Sequence, residues 1–123
     1  MNIKINTAPK PVGAYPHSKK VGNFLFLSGV GPRKGDLDEI PGVNKDEDGN
    51  VISHDIEIQC HSVFENVKMI LEESGSKWEN LVDITVFLTD MENDFKKYNE
   101  IYAEYFKHDQ PCRTTVEISS LPT

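Results

Sequence analysis

The chain has 123 residues, a mean hydropathy of −0.47 and a formal net charge of −7, from 20 acidic and 13 basic side chains. This length predicts one domain, and the composition excludes collagen-like, low-complexity and membrane-spanning proteins. The acidic balance disfavours nucleic acid as a partner, because it repels phosphate backbones. We therefore expect a soluble protein of the cytoplasm with no membrane partner.

Metal and disulfide chemistry find little support in the pattern. Cys60 and Cys112 lie far apart without a Cys-x-x-Cys spacing, which predicts neither a disulfide scaffold nor a zinc site and suits a reducing compartment. His61 and Glu65 are four positions apart, but no third ligand stands at a usable spacing, so we expect no bound metal.

The first element is the short apolar run from Asn23 to Ser28, which is bounded by Gly22 and Gly29 and predicts a buried strand. The stretch from Gly35 to Asn50 is rich in Asp, Glu, Gly and Pro. It predicts a solvated loop with a turn at Asp48-Gly49.

A helix is predicted next, because apolar residues recur three and four positions apart. Ser53 or Asp55 is placed to cap its start, and Gly75 its end. Cys60 belongs to the apolar stripe, which indicates packing rather than nucleophilic chemistry, whereas the role of Cys112, next to Arg113, is left open. The stripe consists of Ile56, Cys60, Val63, Phe64, Val67, Ile70 and Leu71.

Leu81 to Thr89 alternates between apolar and other residues, which predicts a strand with one buried face. Phe87 points away from that face, so an apolar group there gains burial only if another subunit covers it. We therefore expect a homo-oligomer. The buried face holds Val82, Ile84, Val86 and Leu88.

A second helix follows, with aromatic residues on its buried side and Asn93 or Asp94 placed to cap its first turn. After it, Thr114, Val116 and Ile118 alternate with polar neighbours and predict a last strand. The order strand, helix, strand, helix, strand predicts an α+β fold with a single sheet and both helices packed on one face. The helical stripe is Phe95, Tyr98, Ile101, Tyr102, Tyr105 and Phe106.

Established catalytic motifs are missing from the sequence. It holds no Gly-x-Gly-x-x-Gly, no Walker lysine loop, no His-Glu-x-x-His and no Gly-x-Ser-x-Gly. His17, His54 and His108 fall in predicted loops or at helix ends, where we expect solvated side chains.

Several segments nevertheless resemble, in order over nearly the whole chain, the Rid family of YjgF-like reactive-intermediate (imine/enamine) deaminases. Within it, two segments, Tyr15-Pro16-His17 and Gly22 to Gly29, are most similar to the branch that contains 2-aminomuconate deaminase. The segments are Gly13-Ala14-Tyr15-Pro16, Phe26-Leu27-Ser28-Gly29, Glu65-Asn66-Val67, Thr85 to Met91, Asp94-Phe95 with Tyr98 to Tyr102, and Pro111-Cys112-Arg113-Thr114 through Leu121-Pro122.

The resemblance implies a chorismate-mutase-like (bacillus-type) fold and a homotrimer whose sheets form a central barrel with three clefts between subunits. It implies an enzyme without metal or organic cofactor. The implied reaction is hydrolytic deamination of 2-imino or enamine acids, or of 2-aminomuconate-like aminodienoates, to 2-oxo acids and ammonia. The partner is therefore a small imine or enamine that carries a carboxylate.

The resemblance also implies a set of site residues. Arg113 matches the family arginine, whose planar fork would clamp a carboxylate; the alternative is a structural ion pair. Ser28 and Gly29 match the family's Ser-Gly, where a hydroxyl and a backbone N–H assist substrate binding. Tyr15 matches the tyrosine that lines the cleft, although a core position would explain it too. Asn99 matches a helix asparagine, with plain solvent exposure as the alternative.

Arg33 and Lys34 follow the Ser-Gly strand, and Arg33 could meet a second carboxylate, as a muconate skeleton requires. An exposed loop pair is the other interpretation. Together with Lys19-Lys20 they could form a local basic patch, which matters because relatives also carry ribonuclease and translation-inhibitor labels.

One departure from the family concerns the end of the sequence. Many members carry a water-activating glutamate on a further strand after the Leu-Pro turn, and this sequence stops at Thr123. We therefore expect one Rid-like domain, 1–123, without that final strand, and leave the water-activating group unassigned. Glu117 corresponds to a different family position and is interpreted as a surface or interface carboxylate. A non-catalytic site that binds 2-oxo acids is the rival hypothesis.

Overall fold

The computed structural model describes residues 1–35 and 40–122 and contains both helices and short strands, which confirms the α+β class. Its residues divide into two units, Met1–Trp78 and Glu79–Thr123. The described strands form hydrogen-bonded sheets of three, two and two strands. The described parts of the chain show no closed barrel.

The first unit holds five strands and one long helix. β1, β2 and β3 form an antiparallel sheet in that order, and β4 pairs with β5 in an antiparallel hairpin. The elements are β1 (Asn2–Ile3), β2 (Ser18–Val21), β3 (Phe24–Leu27), β4 (Val43–Lys45), β5 (Val51–His54) and α1 (Ile56–Glu73).

The strand predicted from the first apolar run is present as β3, but it is not buried on both faces. Leu25 and Leu27 are half-buried, whereas Phe24 and Phe26 expose 64% and 60% of their surface. The prediction of a buried strand was therefore wrong for one face. An uninterrupted apolar run does not show whether another element of the same chain covers each face of the strand.

The predicted loop from Gly35 to Asn50 contains a strand, β4, and is therefore only partly a loop; residues 36–39 of it lie outside the described residues. The turn at Asp48-Gly49 is confirmed, with Gly49 at a positive φ of 84°. Asp46 supports it, since its Oδ1 accepts hydrogen bonds from the N–H groups of Asp48 and Asn50 at 2.9 Å. These bonds to the carboxylate lower the pKa of Asp46.

Helix α1 begins where the sequence predicts it. Of the two capping alternatives the structure uses Asp55, whose carboxylate accepts from the N–H groups of Glu57 and Ile58. The helix ends at Ser74, followed by Gly75 at a φ of 86°. Ile70 of α1 packs in an apolar core with Ile5 and Ala8.

The second unit is a strand–helix–strand arrangement. β6 and β7 are parallel neighbours, paired from Asp83 opposite Cys112 to Leu88 opposite Glu117, and α2 makes the crossover that parallel strands require. The elements are β6 (Asp83–Leu88), α2 (Met91–Tyr105) and β7 (Cys112–Glu117), after a short 3-10 turn at Trp78–Asn80.

The start of α2 corrects a prediction. Its N-cap is Asp90, not Asn93 or Asp94, and the Asp90 carboxylate accepts from the N–H of Asn93. Asp94 is instead buried on the helix. Glu117 of β7 also supports this end, because its Oε1 accepts from the N–H of Met91 at 2.9 Å.

The alternation predicted for β6 is observed along the strand, and burial is greatest in its second half. Val86 and Leu88 are buried, and Phe87 points the other way with 52% of its surface exposed. Val82 precedes the strand and is exposed, so the predicted buried face is shorter than expected. Within the described residues, no helix combines the length and apolar character needed to cross a membrane.

Candidate functional site

Arg113 lies on β7 and is half-buried, with its side chain held by two neighbours of the same unit. Its Nε donates to Oγ1 of Thr115 at 2.8 Å, and one Nη donates to Oδ1 of Asn99 at 2.7 Å. A guanidinium has five N–H donors, so three remain for a ligand, two of them on the other Nη. The hydrogen bonds to Thr115 and Asn99 fix the plane of the guanidinium and so the direction of its remaining N–H groups.

Aromatic rings of α2 surround the same guanidinium. Its central carbon lies 4.6 Å from the ring centre of Tyr102, 5.5 Å from that of Tyr98 and 5.8 Å from that of Phe95. Rings at these distances attract a cation by about 0.5–2 kcal/mol each. Residues three and four positions apart lie on one face of a helix. The aromatic residues of α2 and Asn99 therefore face Arg113 together.

The positive charge of Arg113 is not neutralised by an acid of the described chain. No ion pair joins Arg113 to a carboxylate there, and Glu117, the acid on the same strand, accepts the N–H of Met91 instead. Asn99, which the sequence left open as a solvent-exposed position, is half-buried and faces Arg113. The arrangement suits an anionic group with two acceptor oxygens.

The ring of Tyr102 is half-buried and is the nearest of these aromatic rings to Arg113. Burial raises the pKa of the Tyr102 phenol above its ordinary value, and the positive charge of Arg113 partly opposes that rise. A partly desolvated setting strengthens the bond between Arg113 and a bound anion.

Other predicted site residues come together in the first unit, around a cavity of about 60 Å³. Tyr15, Ser28, Gly29 and Arg33 all line it. These four residues belong to the first unit, and the Arg113–Asn99 pair belongs to the second.

Tyr15 and Ser28 are positioned by backbone contacts. Tyr15 is 40% exposed, so it is not a core tyrosine, and its hydroxyl accepts from the N–H of Val12 at 3.3 Å. The hydroxyl of Ser28 donates to the carbonyl of Pro16 at 2.7 Å, which leaves its oxygen able to accept from a ligand.

His17 contradicts the expectation of a solvated histidine. It is buried, its Nδ1 accepts from the N–H of Ile5 at 3.0 Å, and its Nε2 donates to the carbonyl of Pro9 at 2.8 Å. These bonds assign the neutral ring with its proton on Nε2. No sequence pattern indicates this role, since both partners of His17 are backbone groups 12 and 8 positions away in the chain.

The other histidines and the two cysteines differ in exposure. His54 is half-buried rather than solvated, while His108 is exposed as predicted. Cys60 is buried, which confirms its packing role, and burial raises the pKa of its thiol to about 12. Cys112 is exposed.

The His61–Glu65 pair does not gain a third ligand in the described ranges. Glu65 forms an ion pair with Lys34 at 2.9 Å, and residues 1–35 and 40–122 contain no group of three His, Cys, Asp or Glu that could hold a metal ion.

Comparison with known proteins identifies the class to which this fold and these residues belong. A family model described as "Endoribonuclease L-PSP" matches residues 5–123, so the chain belongs to that family, which includes RutC and Rid/YjgF proteins. The resemblance to the Rid family is thereby confirmed.

Individual relatives include both sequences and solved structures. A RutC family protein of Pyrococcus abyssi is 44% identical over 115 residues, which are 94% of this chain and 81% of the relative. The chloroplastic Reactive Intermediate Deaminase A of Arabidopsis thaliana is 37% identical, over 98% of this chain and 58% of the relative. The crystal structure of E. coli TdcF with bound serine is similar with a TM-score of 0.81 and 30% identity, over 99% of this chain and 88% of that chain.

Proposed function

We propose that this protein hydrolyses reactive 2-imino and enamine acids to 2-oxo acids and ammonia. The observation that carries the proposal is the Arg113 guanidinium, which has three uncommitted N–H donors, aromatic walls and no acid partner among the described residues. The reactive-intermediate deaminase among the relatives supports the reaction class. The serine bound to TdcF supports a ligand with a carboxylate.

The proposed reaction depends on orienting the substrate more than on a nucleophilic side chain of the protein. Two parallel bonds from Arg113 to the substrate carboxylate fix the adjacent C=N carbon. Water adds to the protonated C=N carbon, forming a C–O bond as the π electrons move to nitrogen. One proton of the added water then moves to that nitrogen, the C–N bond breaks and ammonia leaves. The remaining hydroxyl loses its proton to the ammonia as the carbonyl of the 2-oxo acid forms. Asn99 and Thr115 act as positioning residues for Arg113.

Tyr15, Ser28 and Gly29 are proposed as further substrate-contacting residues, on the strength of the family resemblance. The exposed ring of Tyr15 offers a flat surface to a planar imine, and the Ser28 oxygen can accept a hydrogen bond from the imine N–H. Tyr15 is assigned to catalysis with Arg113, and the other two to binding.

The proposal includes a homotrimer in the cytoplasm with clefts between subunits. Phe24, Phe26 and Phe87 each expose more than half of their surface on strands, which is costly for an isolated chain. A barrel formed by the sheets of three chains would cover such side chains.

Two rivals remain separable by experiment. The family model's description names an endoribonuclease, but a net charge of −7 counts against strong RNA binding. A site that only binds 2-oxo acids would show calorimetric binding of 2-oxobutanoate without hydrolysis of an imine. Hydrolysis of an imine would therefore support the enzyme and exclude a site that only binds 2-oxo acids.

The test measures ammonia released from freshly generated 2-iminopropanoate. Arg113→Ala removes two charge-assisted hydrogen bonds worth about 1.5–3 kcal/mol each, so we expect kcat/KM to fall at least about 100-fold. Arg113→Lys keeps the positive charge but not the planar, two-pronged guanidinium, so it should recover only a small part of the lost kcat/KM. The control is Lys96→Ala, an exposed cation on α2, which should leave the rate unchanged. Full activity of Arg113→Ala would refute the proposal.

A further inference from the structure

The ring of Tyr102 lies against the guanidinium of Arg113 and is itself anchored by two neighbouring rings. The central carbon of Arg113 lies 4.6 Å from the centre of the Tyr102 ring. That ring packs against Phe106, with ring centres 4.4 Å apart, and against Tyr98, with ring centres 5.9 Å apart. Phe106 and Tyr98 are only 3% and 7% exposed. In such a close-packed interior, Tyr102 has little freedom to move away from Arg113.

The ring and the hydrogen bonds hold Arg113 in different ways. Its bonds to Asn99 and Thr115 use N–H groups, which all lie in the plane of the guanidinium. A hydrogen bond weakens steeply only at angles below about 120°, so these two bonds still permit small tilts of that plane. An aromatic ring attracts the cation through its electron-rich face and so opposes a tilt that separates the two groups. The direction of the free N–H groups therefore depends on the ring as well as on the bonds.

Of the three rings around Arg113, that of Tyr102 has the greatest influence. Its centre is nearer to the guanidinium carbon than those of Tyr98, at 5.5 Å, and Phe95, at 5.8 Å. Phe95 is also 38% exposed, so its ring is less restrained. The contribution of Tyr102 comes from its ring, because its hydroxyl oxygen is buried within the described chain, where a ligand of Arg113 does not reach it.

An aromatic ring at this place also affects the strength with which Arg113 binds an anion. The ring is uncharged, so, unlike a carboxylate, it restrains the guanidinium without competing with an anionic ligand. Tyr102 is half-buried and excludes water from one side of the cation, and the attraction between charges is stronger where water is excluded. An aliphatic side chain at position 102 would exclude water as well, but it would lack the attraction to the cation.

We propose that Tyr102 is a positioning residue for Arg113, and that its ring, not its hydroxyl, keeps the guanidinium in the orientation that binds the substrate carboxylate. This inference rests on the proposed function, which assigns that carboxylate to Arg113. It involves only residues of the second unit.

The experiment removes the hydroxyl and the ring separately and measures the calorimetric Kd for 2-oxobutanoate. Tyr102→Phe removes only the hydroxyl and should bind within about twofold of the wild type. Tyr102→Leu removes the ring and should raise Kd about tenfold, in keeping with the strength of a contact between a cation and a ring. In the hydrolysis of 2-iminopropanoate the same loss should appear in KM, while kcat stays within about twofold.

Two further variants keep the result interpretable. Tyr102→Met is a second variant without the ring, since methionine favours helices and fills irregular gaps, and it should also weaken binding. Tyr105→Leu makes the same change at a half-buried position of α2. The ring of Tyr105 is not one of the three described around Arg113, so this control should leave Kd unchanged.

Wild-type binding by folded Tyr102→Leu or Tyr102→Met, or equal losses in Tyr102→Phe and Tyr102→Leu, would overturn the proposal. An equal loss in Tyr105→Leu would overturn it too, because the effect would then belong to the helix and not to the contact with Arg113. Failure of the proposed function looks different, since Arg113→Ala would then hydrolyse 2-iminopropanoate at the full rate.

Discussion

At the scale of single residues, Asn99 shows how a neutral partner keeps Arg113 available. An amide oxygen orients the guanidinium at 2.7 Å without cancelling its charge. A carboxylate in the same place would form an ion pair and compete with the substrate.

This contrast gives a prediction for two substitutions of Asn99. Asn99→Ala removes one hydrogen bond to a charged group, worth about 1.5–3 kcal/mol, and should lower kcat/KM about tenfold or more. Asn99→Asp should lower kcat/KM further, because it pairs with Arg113. Imine hydrolysis at a fixed pH checks the order, with thermal unfolding showing that both variants fold. Higher activity in Asn99→Asp than in Asn99→Ala would contradict this role.

The two cysteines are predicted to react at very different rates. At pH 8 a thiol of pKa about 12 has only about one thiolate in 10,000, and Cys60 is also buried, so it should resist alkylation in the folded protein. Cys112 is exposed and should react first. Mass spectrometry after brief iodoacetamide treatment should locate the label at Cys112, and Cys112→Ser should abolish fast labelling. Rapid labelling of Cys60 in the native protein would contradict the prediction.

How far the site could be predicted also depends on the residue. The resemblance indicated Arg113 and Asn99, but their contact depends on how α2 lies against β7, which one sequence does not contain. Thr115 could have been found from period-two spacing on the strand of Arg113. His17 could not, because its partners are the backbone groups of Ile5 and Pro9.

At the scale of elements, the start of α1 depends on one carboxylate. Asp55→Ala should destabilise the protein by about 1 kcal/mol, or about 4 °C in the unfolding midpoint, because two N–H groups lose their acceptor. Asp55→Asn keeps the acceptor and should recover most of this loss. Glu57→Ala removes an acidic residue of the first turn without removing the cap, so its smaller effect is the control in calorimetry. Equal losses for Asp55→Ala and Glu57→Ala would contradict the capping assignment.

Long elements were predictable from periodicity, whereas among the short strands only β3 was predicted, from its apolar run. α1, α2, β6 and β7 each carry enough apolar positions to show a period. β1 has two residues, β2 is Ser18–Val21 with two lysines, and β4 lies in an acidic stretch. These strands are stabilised by pairing: β1 pairs with β2, β2 with β3, and β4 with β5. A local sequence pattern does not reveal such partners.

At the scale of the whole molecule, the proposed trimer should appear in light scattering as a particle of three 13.9 kDa chains. The side chain of Phe87 is 52% exposed in the single chain. Phe87→Asp replaces it with a carboxylate, which would be costly to bury between subunits, and the substitution should therefore dissociate the trimer. Phe87→Leu preserves apolar character and should preserve the trimer. A wild-type monomer at micromolar concentration would contradict the proposed assembly.

The proposed function requires that the guanidinium of Arg113 binds the carboxylate of a small 2-oxo or 2-imino acid. The decisive measurement is a crystal structure of the protein soaked with 2-oxobutanoate. We expect both carboxylate oxygens within about 3 Å of Arg113 nitrogens, with the bonds to Asn99 and Thr115 intact. A ligand bound elsewhere, or Arg113 paired with a protein carboxylate in the assembled molecule, would contradict it.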